Sequence, residues 1–209
     1  MTYPVYTIGH STHSIKKLIA LLKQHGITAV CDVRSQPYSQ INPQFNRETL
    51  KQVLRSEGII YVFLGKELGA RTHDKTCYRN GRVQYDLLAQ TDLFRYGLER
   101  IKNGTLSYRV ALLCAEKDPL QCHRAILVSR HLIKLGIHVQ HILSDGQLEG
   151  HEQTLQRLMD NLKLRQLNMF RSFDDIIAEA YRIQENAIAY GVKMEGGSDE
   201  NGHMVTGKA

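Results

Sequence analysis

No stretch of this 209-residue chain approaches the roughly 20 consecutive apolar residues that a membrane-crossing helix needs. That argues against a helical membrane protein and sets the expectation of no membrane partner. Met1 to Tyr6 show no basic segment followed by a long apolar core, so they do not read as a secretory signal, and a cytoplasmic location is expected. Internal repeats and low-complexity tracts are missing, which argues against a solenoid or a propeller. Cysteine is sparse. The four present could form two disulfides, but two lie in or at the end of apparent strands and a chain of this size folds without staples, so all four are read as thiols. Nucleotide fingerprints are absent as well. Gly65-Lys66-Glu67-Leu68-Gly69 could bring backbone close to a phosphate, yet it has neither Walker nor dinucleotide-binding spacing, so neither ATP nor NAD follows from it and the cofactor is unknown.

The charge leans one way. A formal net charge of +6 and a pI near 9.1 favour an anionic partner, whether a small anionic ligand, a nucleotide or a nucleic acid. The basic residues are spread along the chain, so the excess by itself marks no binding face.

Hydrophobic periodicity supplies the architecture. Short apolar, β-rich runs at Tyr3 to Ile8, Ile27 to Val33, Ile59 to Leu64, Tyr108 to Cys114 and Ile137 to Leu143 predict five strands. Helical spacing separates them, with Ser14 and Asn46 as caps and Gly26, Gly58 and Gly136 as stops. A long helix is expected from near Gln84 to Lys102, and another from about Cys122 to Leu135. Nearly continuous apolar strands alternating with helices predict an α/β fold: a Rossmann-like, doubly wound, mainly parallel five-stranded sheet with helices on both faces. The expected domain boundaries are 1–145 for the α/β unit, 146–194 for a C-terminal helical extension and 195–209 for a disordered tail. After Gly146 the pattern reads as purely helical, with Leu155, Leu158, Ile176 and Ile177 on apolar stripes and Ser172 with Asp175 as a capping pair. Such stripes need cover from the sheet or from a second copy, a homodimer through the C-terminal helices.

In an open parallel sheet, ligands bind beyond the carboxyl ends of the strands. Four of the five predicted strands deliver reactive or ionic residues to that edge: Gly9, His10 and Ser11; Asp32 and Arg34; Gly65 and Gly69; Cys114 and Glu116. The richest segment runs from Cys114 through Glu116 to Cys122, His123 and Arg124, leaving a strand and entering a helix, where peptide N–H groups favour anions and thiolates. Three chemistries fit it. One cysteine acts as nucleophile with His10 or His123 as base and Arg124 holding an anion; Cys114, Cys122 and His123 hold zinc or iron; or the two cysteines form a reversible disulfide. Adjacent Cys-His is an unusual metal pair, so no metal is assigned. Rhodanese-like and cysteine phosphatase sites also place a cysteine on a strand-to-helix loop, with shorter cysteine-to-arginine spacing than Cys114 to Arg124. The stretch holding Arg71, His73, Lys75, Arg79 and Arg82 among Tyr78 and Tyr85 reads as a flexible basic loop able to contact nucleic acid.

Thr7-Ile8-Gly9-His10-Ser11, Asp32-Val33-Arg34, Leu64-Gly65 through Gly69, and Leu113-Cys114-Ala115-Glu116 leading to Cys122-His123-Arg124 together resemble the signature blocks of the domain-of-unknown-function family 488, over about residues 3 to 145. That resemblance implies a shared site and carries no activity with it. The combined expectation is an enzyme acting on a small anionic substrate, nucleotide or nucleic acid. Cys114, Cys122, His123, His10 and Asp32 are the expected catalytic residues, and Arg124, Arg34, Ser11, Glu116, Gly65 and Gly69 the expected binding residues. The alternatives are a non-catalytic nucleic-acid-binding module and a metal-dependent or redox regulator.

Overall fold

The computed structural model describes residues 3–164 and 171–191. The tail expected over 195–209 lies outside them. Four strands form the buried centre of the sheet: β1 (Val5–Gly9), β2 (Ala29–Asp32), β6 (Val110–Cys114) and β7 (Val139–Ile142). At one edge lies β3 (Ile60–Phe63), and at the other β8 (Leu148–Gly150). The order is β3-β2-β6-β1-β7-β8, parallel throughout except for the antiparallel β7–β8 pair. Six strands therefore replace the five expected. The sixth begins two residues after Gly146, so the segment expected to be purely helical first closes the sheet. A separate two-stranded hairpin, β4 (Tyr78–Arg79) and β5 (Arg82–Val83), turns at Asn80 and Gly81, both at positive φ.

Period-two alternation sorts the strand residues onto two cores. Along β6, Ala111 and Leu113 face one core, while Val110, Leu112 and Cys114 face the other. The first core is covered by α1 (Ile15–Gln24) through Leu18 and Leu22, and by α2 (Arg47–Ser56) through Leu50 and Leu54. Ser14 caps α1 by accepting the Lys17 amide. The second core is covered by α5 (Asp92–Gly104), by a π-helical stretch over Arg124–Ser129 that continues into α6 (Arg130–Lys134), and by α7 (His151–Asn161) and α8 (Phe173–Ile188). Ser172 does cap α8, accepting from the Asp175 amide.

Two sequence expectations change here. The long helix from Gln84 divides into α4 (Tyr85–Leu88) and α5, because the Thr91 hydroxyl caps the Phe94 amide and starts a new helix. The loop from Gly65 is ordered as α3 (Gly65–Leu68), a 3-10 turn and the hairpin. Leu158 is buried, as expected, whereas Leu155, Ile176 and Ile177 are half-buried at the rim of the second core.

A buried polar chain docks the C-terminal helices onto the sheet. Thr7 Oγ1 and His141 Nδ1 lie 2.7 Å apart, His141 Nε2 and His151 Nδ1 3.0 Å, and His151 Nε2 and the Tyr181 hydroxyl 2.8 Å. Each neutral imidazole offers one donor and one acceptor, which is what such a chain requires. Burial lowers both histidines, His151 to about 4 and His141 well below its usual value. An unfolded histidine takes up its proton near 6.5, so the stability held by these neutral rings is complete above that pH and is lost as pH falls toward the folded values. Glu116, Glu185 and His123 are shifted upward and work in the opposite sense. The informative quantity is therefore the difference between wild type and His151→Gln. Between about pH 6 and pH 5, wild-type stability in urea should fall more steeply than that of the variant by about 1 kcal/mol per pH unit. Parallel profiles would show that His151 is not held neutral.

Candidate functional site

Topology places the site at the carboxyl end of β6. The strands on either side, β2 and β1, send their connections to the α1–α2 face, while the chain leaving β6 crosses to the opposite face. Connections that part in this way leave a crevice at the strand end. Cys114, the last residue of β6, stands in it. The ends are level, with Gly9 paired to Cys114 and Asp32 to Leu113, so the sequence expectation of one shared edge for His10, Asp32 and Cys114 holds.

The loop after Cys114 is pressed onto the end of β1. A Cβ on Gly9 would lie 1.8 Å from the Glu116 carbonyl oxygen, so only glycine allows this approach. His10 and Ser11 extend the contact, donating their amides to the Cys114 and Ala115 carbonyls, with Ser11 at φ 46°. From inside, the buried Arg124 guanidinium donates to the carbonyls of Glu116 at 2.7 Å and Lys117 at 3.1 Å. From outside, Arg157 of α7 forks onto Asp118 at 2.9 and 3.0 Å while also binding Glu149. Arg124, expected to hold a ligand, clasps the loop and is not part of the cavity wall.

Three reactive side chains converge on the pinned loop. His123 Nδ1 lies 3.7 Å from Cys114 Sγ and 3.9 Å from Cys122 Sγ. Its Nε2 is 3.0 Å from the Val33 carbonyl; a carbonyl only accepts, so Nε2 carries the proton and, in the neutral ring, the Nδ1 lone pair faces the sulfurs. The Arg124 amide donates to Cys122 Sγ at 3.4 Å, and the Cys114 thiol to Glu116 Oε2 at 3.4 Å. These contacts divide the two thiols. Burial would raise Cys122, but the Cys114 S–H, the Arg124 guanidinium and His123 outweigh it and hold that thiol well below the usual range. Hydrogen bonding to Cys122 and burial push Cys114 well above it. Burial lowers His123, yet contact with Cys122 leaves it raised, and burial followed by the same sulfur raises Glu116.

A second buried network stands beside the first. Arg34 forks onto Asp32, with Nε to Oδ1 at 2.9 Å and Nη2 to Oδ2 at 2.6 Å, and gives further bonds to the Phe45 carbonyl and His10 Nε2. Tyr61 donates to Asp32 Oδ2 at 2.7 Å. His10 Nδ1 is turned to the Ser11 carbonyl, its ring stacks on Phe45, and burial lowers it to about 4. His10 and Asp32 thus hold Arg34, and neither is part of the cavity wall. Gly65 and Gly69 sit beneath the same turn: a Cβ on Gly65 would meet the Arg34 carbonyl oxygen at 2.0 Å, and one on Gly69 would meet Ser35 Oγ at 2.4 Å.

Both networks open on one cavity of about 310 Å³. Cys114, Cys122, His123, Glu116 and Arg34 line it, together with residues that the sequence did not single out for the site, including Gln36, Tyr38, Gln121, Ile188 and Tyr190. Arg71, read from sequence as part of a nucleic-acid loop, lies at its mouth, bonded to Gln36 and placed over the Tyr190 ring at 4.6 Å. Tyr190 is held there because its carbonyl accepts the Val83 amide. No periodicity links residues 188–190 to Cys114, and only the docking of α8 brings them together.

Fold and cluster define a class: an α/β protein carrying a Cys-Cys-His pocket at the carboxyl edge of a mostly parallel sheet. The family described as "Domain of unknown function DUF488" matches residues 14–131, and the chain belongs to that family. Three of the four signature blocks lie inside that span, and Thr7 to Ser11 precedes it. Neither the curated proteins nor the solved structures contain a match.

Two outcomes are expected from this geometry. Gly9→Ala should cost about 2 kcal/mol in urea unfolding with an unchanged m value, since backbone must move to admit the methyl group. A cost within error would mean the loop is not pressed on β1. In chelator and reductant, peptide mapping after iodoacetamide should find Cys122 modified at lower pH than Cys114, and His123→Gln should move the Cys122 profile upward. Simultaneous modification of both thiols would contradict the division between them.

Proposed function

We propose that the protein is an enzyme that acts on a small anionic substrate, nucleotides included, in the cavity beside Cys114, Cys122 and His123. The observation carrying this reading is the meeting, on one wall, of three reactive side chains and two arginines of different standing. Arg34 offers five N–H donors; four are committed to Asp32, Phe45 and His10, leaving one on Nη1 without a partner among the described residues. Arg71 is exposed and spends one bond on Gln36. An anion entering the cavity meets Arg71 first and Arg34 at depth, with Tyr190 and Tyr38 as flat apolar walls suited to a planar group. The volume suits a small molecule, near the lower end for ligand cavities. In this reading the sheet is Rossmann-like in plan, and the described part of the C-terminal extension, through Ile188 and Tyr190, completes the pocket wall.

Calorimetric titration with inorganic phosphate and adenosine monophosphate tests it. Binding of at least one is expected, with Arg71→Ala weakening it about tenfold. A bound anion that is turned over should still bind Cys122→Ser but no longer react. Failure of both anions to bind, together with salt-sensitive binding of generic duplex DNA, would replace the enzyme with a nucleic-acid-binding module.

A further inference from the structure

We infer that Cys114, Cys122 and His123 form a three-ligand centre for one zinc-class divalent cation, with its open position on the cavity. Metal binding stands independently of the enzymatic reading; only the use made of the open position rests on it.

The three candidate ligand atoms all lie within 4.8 Å of one another. Zinc–sulfur bonds of about 2.3 Å and a zinc–nitrogen bond of about 2.0 Å at tetrahedral angles place sulfur and nitrogen about 3.5 Å apart. The separations of 3.7 and 3.9 Å from Nδ1 to the two sulfurs are close to that. A lone nucleophile would need one sulfur near one base; here a second thiol is turned on the same point. His123 has the support expected of a metal ligand, its other ring nitrogen fixed on a backbone carbonyl. Cys122 has an amide bond to its sulfur, from Arg124.

Adjacent Cys-His pairs rarely share a metal because neighbouring side chains in an extended chain point to opposite faces. Here the backbone changes form between them. Cys122 is extended, at φ −142° and ψ 138°, and His123 is helical, at φ −58° and ψ −23°. That change brings both side chains to one point.

Two sulfurs and an imidazole select zinc or a similar soft to borderline ion over magnesium or calcium. Three protein ligands with a fourth position free is the pattern of catalytic zinc, whereas structural sites close with four. Among the described residues no fourth ligand joins the set. Glu116 lies outside it, with Oε2 3.4 Å from Cys114 Sγ and its carboxyl group on the cavity wall.

Cobalt(II) titration of the full chain, first stripped with chelator and kept reduced, tests the site. One cobalt per chain is expected, with thiolate-to-metal charge-transfer bands, the intense visible bands of four-coordinate cobalt, and displacement by zinc. Cys114→Ser and Cys122→Ser should each weaken the charge-transfer bands and lower zinc affinity at least about a hundredfold, with circular dichroism confirming the fold. Glu116→Gln should keep the stoichiometry and the charge-transfer bands, since Glu116 lies outside the ligand set. The spectrum of aqueous cobalt alone in wild type, or undiminished charge transfer in both serine variants, would overturn the site. Cobalt binding without any anion binding would sink the enzymatic reading alone. Anion binding without cobalt bands would sink the metal site alone and leave a cysteine nucleophile.

Discussion

The site depends on one close contact, the Glu116 carbonyl lying where Gly9 would carry a Cβ. Because that space is free, the chain leaving β6 folds back over β1. Because it folds back, the Glu116 and Lys117 carbonyls come within reach of a guanidinium from the following helix. Two peptide oxygens withdrawn from water need donors, and the Arg124 guanidinium supplies them. The turn at Cys122 and His123 is then fixed at both ends, by Arg124 on one side and by the Val33 carbonyl on His123 Nε2 on the other. Convergence of the sulfurs with Nδ1 follows from backbone placement, and none of the three side chains has to find it by rotation alone.

The two arginines show how far sequence reading reaches. Arg124 is two residues from Cys122 and at a helix start, so proximity suggests that it holds a ligand. Its position under the loop gives it carbonyls to satisfy first. Arg34 looks like half of a simple ion pair with Asp32, and the pair is real, but a guanidinium has more donors than one carboxylate can accept. The surplus goes to Phe45 and His10 and leaves Arg34 on the cavity wall. Sequence shows which residues are charged near a strand end; it does not show how many backbone carbonyls compete for them.

The central strands were legible because burial on both faces demands unbroken apolar runs, and Val110 to Cys114 has no other reading. Leu148–Gly150 escaped because three residues with one apolar side chain carry no period, and the strand exists only through pairing with β7. The basic stretch after Gly69 read as loop for the same reason, since the β4–β5 hairpin contributes two residues per strand. The convergence of reactive residues on one edge was legible because parallel strands end together. The far wall was not: Ile188 and Tyr190 belong to the site only because Gln184 reaches the Leu120 carbonyl and Glu185 takes the Tyr85 amide, contacts spanning 64 and 100 residues.

The charge of the cavity does not depend on which chemistry occupies it. Two thiolates and a neutral imidazole around a divalent cation sum to zero, and a thiolate beside an imidazolium does the same. Asp32 offsets Arg34, so what remains is Arg71 against Glu116, whose carboxyl is itself pushed upward by burial and by Cys122. Where Glu116 is protonated the balance is positive in either case, and in a partly desolvated space a residual charge counts for more than it would on the open surface. The overall excess of +6, spread along the chain, states only a preference in sign. Arg34 and Arg71 are two of those charges with a defined position on the cavity wall, one fixed by four hydrogen bonds and the other lying beside Gln36 and Tyr190.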